Sequence, residues 1–199
     1  MIYRYSDDVY DRFWAPISSS QWTQLSTVLD QNSVFQNSYS VPAVVLSTAA
    51  TPANASASLE FYWDADDANE QFYIYMHFNE VEILSQNDTR AFNFSLNGKH
   101  WYGPFVPPYQ SAYTTFTRSA LTGKQRYLFS LFKTERSTLP PILNAVEVYT
   151  LKDFSQTETD QIDGMRCSAS KLNIMHFRCL VKILCSCLLK FHFSLFVTI

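Results

Sequence analysis

The stretch Phe72-Tyr-Ile-Tyr-Met-His-Phe78 decides the fold class of this 199-residue chain. Apolar residues at the even positions alternate with Tyr73, Tyr75 and His77 at the odd positions, and a period of two predicts a half-buried β-strand. After Asn79 the phase changes, because Val81 and Ile83 take the apolar positions. We therefore expect the strand to end or to bulge at Asn79-Glu80.

Strand patterns continue on both sides of this stretch. Residues 90–102 predict a hairpin, since Phe92, Phe94 and Leu96 alternate with polar residues and the tight-turn dipeptide Asn97-Gly98 follows. The remaining strand candidates are Leu59–Trp63, Tyr113–Arg118, Tyr127–Thr134 and Ile142–Thr150. One helix is predicted, around Ser20–Leu29. Short strands separated by turn residues predict an all-β, antiparallel β-sandwich.

Composition excludes several classes of protein. With 47% hydrophobic and 17% charged residues, the chain is not disordered by composition. The four glycines are too few for collagen or for most phosphate-binding loops. A net charge of −3 argues against a general nucleic-acid-binding protein, so we expect no nucleic acid among the partners.

Two compositions meet near residue 164. Residues 1–163 hold all 18 acidic residues, all 12 Tyr and all 4 Trp. Residues 164–199 hold all 4 Cys and no acidic residue, and they are apolar and basic. We therefore divide the chain into a body, residues 1–163, and a tail, residues 164–199.

The body offers little support for catalysis or for a bound cofactor. No nucleophile elbow, phosphate-binding loop, zinc-protease motif or EF-hand loop is present. Glu80 with Glu82, or Asp64 with its acidic neighbours, could form a glycosidase pair, but such spacings are common in loops. His77 is interpreted as a hydrogen-bonding strand histidine. We expect a protein that is not an enzyme and that uses no cofactor or metal.

Aromatic residues are the more informative candidates for binding. Trp101, Tyr102 and Tyr109 flank a proline-rich turn, and aromatic faces beside amides and carboxylates suit a sugar-binding surface. The competing interpretation is that these rings belong to the core of a small β domain. Tyr73 and Tyr75 lie opposite the aliphatic stripe, so they are candidates for a ligand face or for contact with a second domain. Three sequons, at Asn54, Asn87 and Asn93, are candidate N-glycosylation sites.

Several longer strings, in this order, resemble a known family. They are Arg4-Tyr-Ser-Asp-Asp-Val-Tyr-Asp-Arg-Phe-Trp14, Thr48-Ala-Ala-Thr-Pro-Ala-Asn-Ala-Ser56, Tyr73–Phe78, Asn87-Asp-Thr-Arg90, Asn97-Gly98 and Ser137-Thr-Leu-Pro-Pro-Ile-Leu-Asn-Ala-Val-Glu-Val-Tyr149. Together they resemble the malectin-like ectodomain of plant leucine-rich-repeat receptor-like kinases, over about residues 3–163. The Arg4–Trp14 string resembles the junction that leads into the second of two tandem malectin-type halves.

The resemblance implies a jelly-roll type sandwich that binds carbohydrate or a cell-wall-derived ligand at the extracellular side of the plasma membrane. It also implies a glycoprotein, here a fragment without the first malectin half, the repeats or the kinase. The missing half or a co-receptor ectodomain would be its protein partner. The alternative is a protein–protein interaction module that binds no sugar. The sequence opens without an apolar leader, and no clear transmembrane span is expected.

Three interpretations of the tail stay open. A membrane helix has the required length, although Lys182 and Lys190 fall inside it. Metal binding through His176, Cys179, Cys185 and Cys187 lacks a matched spacing. Translated non-coding sequence explains the shift in composition most simply.

Overall fold

The computed structural model describes residues 2–29 and 39–151, together with the backbone of residues 189–197. Eleven strands and one short helix lie within these residues. The strands are β1 (Trp14–Ile17), β2 (Trp22–Ser26), β3 (Thr48–Pro52), β4 (Leu59–Asp64), β5 (Gln71–Phe78), β6 (Phe92–Leu96), β7 (Lys99–Phe105), β8 (Tyr113–Phe116), β9 (Arg126–Lys133), β10 (Ala145–Leu151) and β11 (Leu189–Val197). The helix α1 (Ala43–Leu46) precedes β3.

The strands form two large sheets and one small sheet. The first sheet has the order β1-β11-β10-β5-β8, the second has the order β4-β9-β6-β7, and β2 pairs with β3. All the pairs are antiparallel except β1 with β11. The prediction of an antiparallel, mostly β fold is confirmed.

The core lies between the two large sheets. The even positions of β5, from Phe72 to Phe78, are almost completely buried, as the period of two predicts. Phe78 contacts the rings of Phe92, Phe94 and Phe105 from the second sheet, with centroids 5.1–5.8 Å apart. Burial of each ring of this kind contributes about 1.5–3 kcal/mol to the free energy of folding, so this aromatic cluster is a main source of the packing energy between the two sheets.

The predicted hairpin and the predicted strand end are both confirmed. β6 and β7 are joined at Asn97-Gly98, where both residues have positive φ angles of 50° and 75°. Two positive φ angles define the turn that suits the right-handed twist of a hairpin. β5 ends at Phe78, directly before the predicted break at Asn79-Glu80.

The prediction of a helix at Ser20–Leu29 is wrong. Residues Trp22–Ser26 form β2, which pairs antiparallel with β3 from Trp22↔Pro52 to Ser26↔Thr48. Trp22 and Leu25 pack against the main core from this small sheet. Backbone pairing with a distant strand therefore outweighs the weak local preference of the segment.

The tail is described in one stretch. The backbone of β11 is extended and pairs with β1 and β10. The domain boundary at residues 163–164 and the candidate ligands His176, Cys179, Cys185 and Cys187 lie outside the described residues. In the described parts of the chain, no helix has the length and apolar character needed to cross a membrane.

Candidate functional site

A groove runs between β7 and β8, the outermost strands of the two large sheets on the same side of the sandwich. Its volume is about 590 Å³, within the range of small-molecule sites. One wall carries Leu96, Trp101 and Tyr102 from the hairpin, and the other carries residues 113–119 and Leu121. We call this feature the edge groove.

Two of the predicted binding residues meet in the edge groove. Trp101 is oriented by edge contacts with the rings of Phe94 and Phe129, at centroid distances of 6.0 and 5.9 Å. Tyr102 is hydrogen-bonded to the hydroxyl of Tyr113 at 2.8 Å, which links the two walls. Burial, reinforced by this hydrogen bond, raises the pKa of Tyr102 to about 12, so its phenol stays protonated at neutral pH.

The opposite wall supplies polar groups that the sequence did not single out. Ser119 provides an exposed hydroxyl and Arg118 an exposed guanidinium. The hydroxyls of Thr114 and Thr117 are hydrogen-bonded within the fold, to His77 and to the N–H of Ile74. Aromatic rings on one wall and exposed polar side chains on the other suit a ligand with apolar faces and polar edges. Tyr113–Arg118 was predicted as a strand, but the sequence held no sign that this strand faces Trp101.

The other predicted binding residues lie elsewhere. Tyr73 and Tyr75 are half-buried on the outer face of the first sheet. There Tyr75 contacts the rings of Phe116 and Tyr149, at centroid distances of 5.4 and 5.2 Å. Tyr109 is exposed and hydrogen-bonds to Gln110, outside the lining of the groove. The structure therefore brings Trp101 and Tyr102 together and places the other three tyrosines apart from them.

The three sequons differ in their surroundings. Asn54 and Asn87 are exposed in turns, and the side chain of Asn54 accepts a hydrogen bond from the backbone N–H of Ser56 at 3.0 Å. Asn93 is half-buried on β6, against Gly103 of β7.

The acidic pair considered for catalysis is held in an ion-pair cluster. Arg90 donates to Glu80 at 2.7 Å, to Glu82 at 2.5 Å and to the carbonyl of Pro140 at 2.6 Å. Arg90 and Glu80 are both 2% exposed, so this arginine binds both carboxylates at a largely buried position. The geometry gives Glu80 and Glu82 a structural partner in place of a substrate.

A second buried cluster fastens the N-terminal segment to the first sheet. Arg12 donates to Asp8 at 2.8 Å and to Glu147 of β10 at 2.6 Å. Trp14 donates to the same Asp8 carboxylate at 2.8 Å. Glu147 also accepts the hydroxyl of Tyr149, and burial together with this carboxylate raises the pKa of the Tyr149 phenol well above its usual value.

His77 behaves as the sequence predicted. Its ring is completely buried, and Nδ1 is hydrogen-bonded to the hydroxyl of Thr114 at 2.8 Å. Nε2 lies 3.5 Å from Glu147. No group of three or more His, Cys, Asp or Glu side chains suited to a metal ion occurs in the part of the chain that the structure describes.

Together these features define an antiparallel β domain with a groove along one edge. The malectin-like domain family matches residues 1–151, and the chain belongs to this family. It is 46% identical over 162 residues to the probable LRR receptor-like serine/threonine-protein kinase At5g59680 of Arabidopsis thaliana, covering 80% of this chain and 18% of that protein. It is 40% identical over 167 residues to the LRR receptor-like serine/threonine-protein kinase IOS1 of the same plant, with 82% and 18% covered.

Solved structures show the same fold. The ANXUR2 extracellular domain from Arabidopsis thaliana aligns with a TM-score of 0.60 at 17% identity, over 76% of this chain and 46% of that chain. The plant receptor-like kinase FER aligns with a TM-score of 0.55 at 18% identity, over 73% and 45%.

The chain spans about a fifth of the length of the curated relatives that it matches. It is homologous to the extracellular domains of receptor kinases, and the aligned part is a malectin-like ectodomain that contains no catalytic domain.

Proposed function

We propose that the chain is a non-catalytic ligand-binding module of a receptor-like kinase ectodomain, at the extracellular side of the plasma membrane, and that it binds carbohydrate or a cell-wall-derived ligand. The observation that carries the proposal is the edge groove, where Trp101 and Tyr102 line one wall and the polar residues Arg118 and Ser119 line the other. The indole face of Trp101 would pack on the C–H face of a sugar ring. Ser119 and Arg118, which are exposed on the opposite wall, would hydrogen-bond the sugar hydroxyls.

Oligosaccharide titration of the 199-residue chain tests this proposal. We expect saturable binding to at least one member of a panel of gluco-, xylo- and galacturono-oligosaccharides. Trp101→Ala should weaken that binding at least tenfold, because a central aromatic contact dominates the binding energy. Tyr62→Ala is the matched control, since Tyr62 is an exposed aromatic residue of β4 outside the groove. Equal affinities for the two variants, or no saturable binding at all, would contradict the proposal.

A protein-interaction role is the second candidate, and a different surface favours it. Ile2, Val9, Tyr10 and Phe13 are each more than half exposed on the N-terminal segment. We call these four residues the N-terminal apolar surface. The buried Arg12 cluster fixes the same segment to the first sheet, so the backbone that carries these side chains is held in place. Exposed apolar side chains gathered on one segment mark a contact with another domain.

This surface would meet the first malectin half or a co-receptor ectodomain. Binding to a separately produced first malectin half of a relative, measured by calorimetry, should survive Trp101→Ala and weaken at least tenfold in the Val9→Ser, Phe13→Ser double variant. Ile83→Ser is the control, because Ile83 is an even more exposed apolar residue, on the loop between β5 and β6. The opposite pattern of losses would assign the interaction to the edge groove.

A further inference from the structure

The open edge of β8 carries free backbone groups. β8 pairs with β5 in an unbroken antiparallel register, from Tyr75↔Phe116 to Phe78↔Tyr113. The N–H of Thr117 donates to Ile74 of β5 at 3.1 Å, which fixes the residues that face β5. Since residues of an antiparallel strand alternate between facing the partner and facing away, Thr114 and Phe116 direct their N–H and C=O groups outward. No strand within the described ranges pairs with that side.

β8 also lacks the features that protect the other outer strands. Natural sheets guard their edges with charges, prolines or bulges. Such features occur in β1 (Pro16), in β4 (Glu60 and Asp64) and in β7 (Lys99, Pro104 and two register shifts). The sequence Tyr-Thr-Thr-Phe of β8 has neither charge nor proline, and all four residues are of types enriched in strands. Of the outer strands of the two large sheets, β8 is therefore the one left ready for pairing.

The exposed edge has the length of a short extended peptide. β8 covers four residues, from Tyr113 to Phe116, so its open edge is about 13 Å long. Tyr113 is 37% exposed and Phe116 is 41% exposed along this line. An added strand would place alternate side chains in the groove beside Trp101, and the remaining ones beside Phe116 and the exposed Arg118.

We infer that an extended segment of a partner polypeptide adds as a further strand to β8, with apolar side chains in the edge groove and a carboxylate beside Arg118. Backbone hydrogen bonds to Thr114 and Phe116 hold the segment, and the groove selects its side chains. Self-pairing of two copies of β8 would bring no carboxylate to Arg118 from the added strand, because the sequence Tyr-Thr-Thr-Phe carries no charge. This mode goes beyond the proposed sugar binding, and the two ligands would exclude each other because they share the groove.

Hydrogen exchange on the full chain tests the inference. The probe is an acetylated and amidated octapeptide with valine at every second position, the other positions holding three threonines and one glutamate. At millimolar peptide, the amides of Thr114 and Phe116 should exchange at least tenfold more slowly than without it. The same peptide with alternate backbone nitrogens methylated should give no protection, because it lacks the donors that pair with the edge.

A matched pair of variants isolates the outward N–H. Phe116→Pro removes this donor without removing a hydrogen bond to β5, whereas Phe116→Ala keeps it. Both variants lose the stacking of the Phe116 ring on Tyr75, so that loss cancels in the comparison. Peptide binding should be at least tenfold weaker for Phe116→Pro than for Phe116→Ala, at equal circular dichroism. If Phe116→Pro does not fold, the methylated peptide on the unsubstituted chain decides the question.

Three outcomes would overturn the inference: no protection at millimolar peptide, equal binding of the methylated peptide, or protection without peptide that rises with protein concentration. The last would place a second copy on the edge. Oligosaccharide titration of the same protein reports separately on the proposed sugar binding. If the peptide protects the edge amides but no oligosaccharide binds, the proposed sugar binding is contradicted and the added strand is supported. If an oligosaccharide binds but the peptide gives no protection, the added strand is contradicted and the proposed sugar binding is supported.

Discussion

Arg90 shows how one residue can change the interpretation of two acidic residues from catalytic to structural. Glu80 and Glu82 have the composition of a glycosidase pair, yet Arg90 binds both carboxylates. A buried ion pair of this kind is costly to break, because the remaining charge has no water to solvate it. The exposed pair between Arg126 and Asp64 has the same chemistry in solvent, where such pairs contribute little.

Removal of the buried cation should therefore be much more damaging than removal of the exposed one. We expect Arg90→Met to lower the free energy of unfolding by about 3–5 kcal/mol, because Glu80 is left buried without its cation. Arg126→Met is the control and should leave the free energy of unfolding nearly unchanged, because its ion pair with Asp64 is exposed to solvent. Urea unfolding of both variants measures the difference. Equal losses would mean that Arg90 does not stabilise the fold through its charge.

The β6–β7 hairpin combines a turn that can be predicted from the sequence with a close backbone contact that cannot. The dipeptide Asn97-Gly98 predicts the turn from the sequence alone. In the structure, the Asn97 side chain also accepts a hydrogen bond from the N–H of Leu128 at 2.9 Å. Gly103 is different. Its φ angle is +118°, and a Cβ atom there would lie 2.7 Å from Oδ1 and 2.9 Å from Cα of Asn93. The hairpin that carries Trp101 and Tyr102 therefore depends on a close approach of two backbones.

Alanine substitutions separate these two glycine roles. Gly103→Ala adds a clash to an unfavourable φ angle, so we expect it to cost about 3–5 kcal/mol of unfolding free energy. Gly98→Ala has open space around its new Cβ and should cost about 1–2 kcal/mol for its positive φ alone. Thermal unfolding of the two variants, measured in parallel, gives the two losses of unfolding free energy. If Gly103→Ala costs no more than Gly98→Ala, the contact with Asn93 does not constrain the hairpin.

β5 shows what a pattern of alternation can and cannot predict. The period of two correctly separated the buried even positions from the odd positions. It did not predict that His77, on the outer face, would also be completely buried. The covering groups come from Tyr39 and from the Arg12 cluster, which lie far from β5 in the sequence. A strand pattern separates the two faces of a strand, and the tertiary contacts decide how far each face is exposed to solvent.

The whole molecule presents several separate surfaces to its surroundings. The edge groove lies along β7 and β8, and the N-terminal apolar surface lies on the segment fastened to the first sheet. Asn54 and Asn87 lie in turns outside both features. In a secreted receptor ectodomain, exposed sequons of this kind are available for N-linked glycans.

Glycosylation can be measured on protein secreted from plant cells. We expect Asn54→Gln and Asn87→Gln each to remove the mass of one glycan, because both side chains are exposed in turns. Intact-mass spectrometry before and after enzymatic deglycosylation gives the count, and Asn93→Gln in the same series tests the third sequon. Unchanged masses in the first two variants would show that exposure in a turn does not suffice here.

The sequence by itself determined the β class, the two faces of β5, its end before Asn79, the Asn97-Gly98 hairpin and the family resemblance. These features depend on neighbouring residues or on strings of residue types, which a one-dimensional pattern records in full. Only the tertiary structure decided that Tyr102 meets Tyr113, that Arg90 pairs with Glu80, and that Trp22–Ser26 is a strand. Each of these depends on which strands lie side by side, and sheet order is set by the packing of the whole core rather than by the local sequence.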